Sequence, residues 1–407
     1  GSAMSGCAPG KDYVYLDYAA TAPLVPEVLE ACDGFLAAGA EGLFANANAN
    51  SLHSPGREAY RIMEQARRTL AESLGADRPS EVVFTSGATE ADNAALLGLS
   101  VAQVQRRRQA GRGSFTPHVV VSAIEHDAVL VAARSLESQG FRVTRLRPDR
   151  QGFVEVRSLE QALDDDTVLV SVQAANSEVG SVQPVRQLAD AAHAAGALFH
   201  TDAVQAFGKM PVSVDEWGVD AASFSGHKLG AFKGVGALYL RARTPFAPTM
   251  LGGGQESGLR SGTQNVMGVV AFAAAARAAV QLQEAEGARL RALRDRLYAR
   301  LACYPQVQPT VEVPPLSEDF LPNIVNVLVD GLESQTLILR FDALGFGVSG
   351  GSACSSQSLD PSHVLLSLGV DSDTAQGALR ISMGRYTTEA DVEGFVEAFG
   401  KVLAWNS

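Results

Sequence analysis

Ala197-Leu198-Phe199-His200-Thr201-Asp202-Ala203-Val204-Gln205 decides how this chain folds. An apolar run of strand length ends there in polar side chains, and the runs around it behave alike. Short β-rich segments at 82–85, 119–122, 168–172, 197–200, 221–225 and 236–240 alternate with helix-like stretches. That alternation predicts an α/β domain with a largely parallel sheet. Polar residues stand at or just past the strand ends: Ser86-Gly87-Ala88-Thr89, Glu125-His126, Asn176, Asp202 with Gln205, and Ser225-Gly226-His227-Lys228. Open α/β sheets bind ligands outside the carboxyl ends of their strands, so these residues are expected to converge on one cleft.

Outward from this core, a helical stretch over about 266–301 carries Leu290, Leu293 and Leu297 at helical spacing. Beyond a Pro-rich break at 305–315, strands at 324–329, 346–349 and 378–383 with helices at 334–344 and 388–403 predict a smaller α+β unit. The arm containing Tyr15-Leu16-Asp17-Tyr18 is expected to pack with it. The predicted organisation is a tag and arm over 1–20, a large α/β domain over 21–265, a connecting helix over 266–304 and a small domain over 305–407. Gly1-Ser2-Ala3 reads as an expression scar ahead of an initiator Met4.

Composition narrows the function. Lys plus Arg number 33 against 45 Asp plus Glu, a net charge of −12, which argues against nucleic acid or an anionic membrane as partner. The segment 269–280 is interrupted by Arg277 and falls short of the roughly 18 apolar residues of a span. Four thinly spread cysteines form no disulfide framework and point to a reducing, cytoplasmic setting. The histidines outside the strand ends have no metal-ligand spacing with these cysteines, so no metal is expected.

Several motifs carry chemistry, each beside a plainer reading. Ser86-Gly87-Ala88-Thr89 can present backbone N–H groups to an anion, or merely cap a helix. Lys228, one of only five lysines, can be desolvated into a neutral nucleophile, or be a surface lysine. Asp202 can pair with a cationic ring nitrogen, or cap a helix; with a covalently bound lysine and a phosphate turn, such an Asp is what pyridoxal phosphate requires. His126 can stack on a flat ring or move protons, or be a structural histidine. Cys354, within Gly350-Gly351-Ser352-Ala353-Cys354-Ser355-Ser356, is a candidate nucleophile among small residues or an idle thiol, whereas Cys303 has the apolar neighbours of an inert one. Arg380 is either buried against a carboxylate or on the solvent face of its strand. Gly347-Val348-Ser349-Gly350-Gly351 fits G-x-S-x-G, but no helix follows its serine, so a hydrolase elbow is not expected. Arg106-Arg107-Arg108 reads as a solvated helix end.

Together these motifs resemble the pyridoxal-phosphate-dependent cysteine desulfurases of the class V aminotransferase family, in the branch with a long cysteine loop. The likeness runs from Tyr15-Leu16-Asp17-Tyr18 through 84–93, Asn176-Ser177-Glu178, His200-Thr201-Asp202, 223–228 and Arg260-Ser261-Gly262-Thr263 to Leu379-Arg380. It implies the fold type I of these transferases and the conversion of L-cysteine to L-alanine, with sulfur passed to Cys354 as a persulfide. It further implies that Lys228 binds the cofactor covalently and that Asp202 pairs with the ring nitrogen, while Gln205 bonds the phenolic oxygen and His126 stacks on the ring. Ala88, Thr89, Ser225, His227 and, from the other copy of a homodimer, Thr263 would hold the phosphate. Asn176 and Arg380 would orient the substrate. The sulfur acceptor would be an iron–sulfur scaffold or a thiolation enzyme. A class V aminotransferase or C–S lyase without persulfide chemistry is the alternative. Leu229-Gly230-Ala231-Phe232-Lys233 departs from the Gly-Pro pair that the family commonly has before a second lysine.

Overall fold

The structure is a computed structural model that describes residues 12–42, 46–350 and 360–405; Cys7 and Cys354 lie outside the described residues. The chain divides into two compact units.

The larger unit, Thr21–Asn176 with Ser181–Glu284, is built on seven strands. These are β1 (Val82–Thr85), β2 (His118–Ser122), β3 (Arg142–Leu146), β4 (Thr167–Ser171), β5 (Leu198–Asp202), β6 (Ala221–Ser225) and β7 (Gly236–Leu240), in the order β1-β7-β6-β5-β4-β2-β3. Neighbours run parallel from β6 to β3, whereas β7 is antiparallel to both β1 and β6. The Val-rich β2 and β4 are buried along their whole length, as strands covered on both faces must be. Sequence reading passed over β3: this edge strand, Arg-Val-Thr-Arg-Leu, is exposed or half-buried over its first four residues and lacks an apolar run. Asp202 is the last residue of β5 rather than a residue past it.

Arg107 corrects the solvated-helix-end reading. Its guanidinium donates to the carbonyls of Asp165 (3.0 Å), Thr167 (2.7 Å) and Gly196 (2.7 Å), where it satisfies loop carbonyls near the start of β4. Nearby, Asp220 Oδ2 meets His193 Nε2 at 2.6 Å and accepts the Phe199 N–H at 2.7 Å.

The smaller unit comprises the described residues up to Ala20, Ser177–Gly180 and the chain from Ala285 onward. Its antiparallel sheet holds β8 (Val307–Pro309), β9 (Ile324–Val329) and β10 (Ala378–Ser382), with β9 central. β8 occupies part of the expected Pro-rich break; its proline sits on an edge, where no ladder N–H is needed. The arm packs here, since Val14–Tyr15 pairs in parallel with Phe346–Gly347. Phe341, Phe395 and Phe399 form the aromatic centre, with ring centroids 4.7–5.8 Å apart. Arg294 is fully buried and donates to the carbonyls of Phe320, Leu321 and Ser317 at 3.0–3.2 Å, which pins the loop before β9. Cys303 is exposed, contrary to its apolar neighbours, because it follows the last turn of Val266–Leu301.

That 36-residue helix spans the division at Glu284, and among the described residues it is the one helix long and apolar enough to cross a membrane. Much of its apolar surface faces a core: Val269, Phe272 and Ala276 are buried, and Leu290, Leu293 and Leu297 join the core of the smaller unit.

The Asp220 hydrogen bond holds His193 above the ordinary imidazole pKa of 6.5. Stability from a raised pKa is complete below the unfolded value and is lost as pH rises through the folded one. Denaturation of the parent and His193→Gln at pH 6 and pH 9 should therefore show a cost that is larger at pH 6, by about 0.5–1 kcal/mol for this partly exposed pair. Equal costs at both pH values would remove the charge contribution.

Candidate active site

Ser225 ends β6, and the chain turns through His227–Leu229 before Gly230, which closes the turn at φ +87°, a left-handed value that favours glycine. The departure at 229–233 is thus accommodated: the Ala231 N–H returns to the Gly226 carbonyl at 3.1 Å. His227 Nδ1 lies 3.0 Å from Thr21 Oγ1. Gly236 at the start of β7 pairs with Thr85 on one side and Ser225 on the other. A Cβ on Gly236 would stand 2.6 Å from the Gly87 carbonyl carbon and 2.8 Å from the Phe224 oxygen. Its absence lets the Ser86–Ala88 turn settle against β7, two strands from Ser225.

Gly87 starts helix Ala88–Asn93 and supplies no side-chain cap for the first turn, which carries Thr89. Ser225 Oγ is buried and has no hydrogen-bond partner among the described residues. A buried hydroxyl without a partner is costly, so it calls for an acceptor such as an anion oxygen. The cations agree. His227 is pushed down to about 4 by burial and then by the charges of Lys228, Lys233 and Lys209. These residues fit the phosphate of pyridoxal phosphate.

Asp202 Oδ1 accepts the Val204 N–H at 3.0 Å, and Gln205 is buried one turn further on. His126 is the N-cap of helix Asp127–Ser138; its Nδ1 accepts the Ala128 N–H at 3.0 Å, so a neutral ring carries its proton on Nε2. Asn176 is buried and donates to the Ile124 carbonyl and Gln173 Oε1, both at 3.2 Å. The larger unit therefore carries Thr89, His126, Asn176, Asp202, Gln205, Ser225, His227 and Lys228 at the carboxyl ends of its strands. Thr263 is exposed on a loop braced by Arg260, whose two bonds to Glu90, both 2.9 Å, tie it to helix Ala88–Asn93.

Arg380 belongs to the smaller unit. It is 2 % exposed, donates to the Ser177 carbonyl at 2.8 Å and pairs with Asp17 at 3.2 Å, so the buried, carboxylate-paired reading holds over the solvent-face one.

Sequence reading missed four residues. Lys209 donates to the Lys228 carbonyl at 3.5 Å, and burial followed by the Lys228 charge lowers its pKa to about 8. Glu125 is fully buried, accepts the Gln173 N–H at 3.0 Å and a bond from Ser122, and is pushed up to about 8 by burial. Asp92 and His200 are buried beneath helix Ala88–Asn93. The scarcity of lysine pointed to Lys209, Glu125 and His200 stood in the strand-end stretches without being given a role, and nothing local marked Asp92.

The family model described as Aminotransferase class-V matches residues 14–395. The cysteine desulfurase IscS of Klebsiella pneumoniae (strain 342) is 41 % identical over 382 residues, 93 % of this chain and 90 % of that protein. Among solved structures, a NifS-like protein superposes with a TM-score of 0.86 at 37 % identity, covering 96 % of this chain and 99 % of that one. A structure described as SspA in complex with cysteine gives a TM-score of 0.74 at 32 % identity, covering 92 % and 100 %. With its fold type I sheet and lysine-bearing strand end, the chain belongs to the class V aminotransferase family. Within that family it is a cysteine desulfurase, a transferase that uses pyridoxal phosphate.

Gly236→Ala tests the turn on which this site stands. The added methyl meets backbone on both sides, so the variant should lose about 2–3 kcal/mol of stability and bind pyridoxal phosphate more weakly. Thermal melting and a cofactor titration of the apoprotein measure both.

Proposed function

We propose that this desulfurase works through Lys228 and Cys354: Lys228 holds the cofactor and moves the substrate proton, and Cys354 receives the sulfur. The observation that carries this reading is Lys228 one turn past the partnerless Ser225 hydroxyl, on the strand whose Ser223 pairs in register with Asp202 of β5. Ala88, Thr89, Ser225 and His227 hold the phosphate, joined by Thr263 of a second copy in a homodimer; Asp202 meets the ring nitrogen and Gln205 the phenolic oxygen. His126 stacks on the ring. Bound there, the cofactor acts as an electron sink for the substrate carbon.

Arg380 pairs with the carboxylate of L-cysteine, and Asn176 orients the same molecule. Once free of the cofactor, the Lys228 amine would take the proton from the substrate Cα. Lys209 beside it disfavours a second ammonium and so favours the neutral amine. The Cys354 thiolate then attacks the substrate sulfur. A sulfur–sulfur bond forms as the carbon–sulfur bond breaks, and the released electron pair stays with the carbon that is protonated to alanine. Cys354 is left as a persulfide, so the step needs no external oxidant. The acceptor that takes its outer sulfur is an iron–sulfur scaffold or a thiolation enzyme, in a cytoplasmic setting that the thin cysteine usage supports.

Cys354→Ser separates this reading from a lyase or aminotransferase that shares the cofactor. The variant should keep its visible cofactor absorbance yet lose persulfide formation and catalytic alanine release, followed by mass spectrometry and an alanine assay. Unchanged alanine turnover would favour the lyase. Lys228→Ala should abolish the covalent cofactor band and lower turnover by at least about 10³-fold, as loss of a group that both binds and moves a proton implies.

A further inference from the structure

One face of the larger sheet, beneath helix Ala88–Asn93, carries a file of polar side chains that, Asp202 apart, the proposed steps leave unused. His200 and Asp202 stand two apart on β5 and share that face. Register sets Ser171 of β4 beside His200 and Ser223 of β6 beside Asp202. His200 bonds Ser171 Oγ through Nδ1 and Ser223 Oγ through Nε2, each at 2.8 Å. Asp92 reaches the same file from the helix. Its Oδ1 stands 3.7 Å from His200 Nε2, its side chain is 1 % exposed, and that oxygen has no hydrogen-bond partner among the described residues.

An acid in such a place needs an account, since burying a charge without a cation is among the costliest placements a fold can make. The ionisable groups around Asp92 are His200, Asp202 and Glu125. His200 offers no charge, because burial brings its pKa down to about 4. Asp202 and Glu125 are acids. Burial first, then the Asp202 charge and hydrogen bonding toward Asp202, drive the Asp92 carboxyl well above the usual range. A carboxyl that keeps its proton beside a carboxylate becomes a donor to it. Packing alone would be met more cheaply by Leu or Asn.

We propose that Asp92 is a positioning residue for Asp202: its buried carboxyl, with Ser223 and His200, backs Asp202 so that the Asp202 carboxylate stays aimed at the ring nitrogen of the cofactor. This rests on the assignment of Asp202 to that nitrogen. Without that donor the Asp202 carboxylate would lose its backing hydrogen bond and would draw the ring-nitrogen proton toward itself.

The test uses holoenzyme reconstituted with cofactor labelled with nitrogen-15 in the ring, in the parent and in Asp92→Asn, Asp92→Leu and Asp202→Asn. Nuclear magnetic resonance reads the protonation of the ring nitrogen directly. Asp202→Asn should move the resonance fully toward the unprotonated position and Asp92→Leu part of the way, while Asp92→Asn, whose amide still donates, should stay with the parent. Asp92→Leu should also weaken cofactor binding about tenfold, as loss of a hydrogen bond to a charged group implies. If Asp202→Asn moves the resonance and Asp92→Leu does not, or if Asp92→Asn moves as far as Asp92→Leu, the role of Asp92 is overturned and the reading of Asp202 stands. If Asp202→Asn leaves the resonance in place, the reading of Asp202 fails, and this inference with it. Should Asp92→Leu not fold, carbon-13 titration of the Asp92 carboxyl in the unsubstituted apoprotein decides: protonation through neutral pH supports the proposal, and titration at the ordinary carboxylate value overturns it.

Discussion

The site depends on two backbones that meet where one residue has no side chain. Gly236 lies between Thr85 and Ser225, and the Ser86–Ala88 turn occupies the space its Cβ would need. A sheet normally keeps neighbouring loops apart by the bulk of its side chains, so this approach is available only to glycine. It sets an uncapped helix start and a partnerless serine hydroxyl around one strand end. The antiparallel direction of β7 matters for the same reason: it brings the beginning of β7, rather than its end, to the level where β1 and β6 finish.

Charge is sorted across the strand ends. Lys209, Lys228 and Lys233 act together on His227 around the turn after β6, where an anion is wanted. Asp92, Glu125 and Asp202 interact on the β5 side, where a cationic ring nitrogen is wanted. Each group alone is unfavourable. Lys228 lowers the pKa of Lys209, and Asp202 raises those of Asp92 and Glu125. Bound cofactor would relieve both, because its phosphate and its ring nitrogen carry opposite charges at opposite ends.

Much of this was legible in the sequence because the signals were local. Val-rich runs such as β2 and β4 announce buried strands, and polar residues at their ends announce a cleft. Arg380 could be read as two opposite things, since an arginine within an apolar strand fits either face; only the Asp17 and Ser177 contacts decide. Asp92 was not legible. Within Ala88-Thr89-Glu90-Ala91-Asp92-Asn93 it looks like any acid on a short helix, and its meaning comes from the sheet face above which the helix lies, set by residues more than a hundred positions away. The edge strand β3 and the three-residue β8 escaped for the opposite reason, because their patterns are polar or too short to stand out.

The unequal use of the two basic residues has a physical basis in the site. Arginine is always charged and offers a fixed fork of donors, which suits it to permanent contacts. Here Arg67 clamps Glu256, Arg260 clamps Glu90, Arg294 ties down three carbonyls and Arg107 three more. None of these tasks requires the group to give up its proton. Lysine can do so when burial and neighbouring cations make the ammonium costly, and Lys209, at about 8, shows that the turn after β6 supplies those conditions. An arginine at 228 would remain charged there and could not serve as a nucleophile toward an aldehyde. A chain that gives nearly all its structural cationic work to arginine, and gathers three of its five lysines around one histidine, has separated holding from reacting.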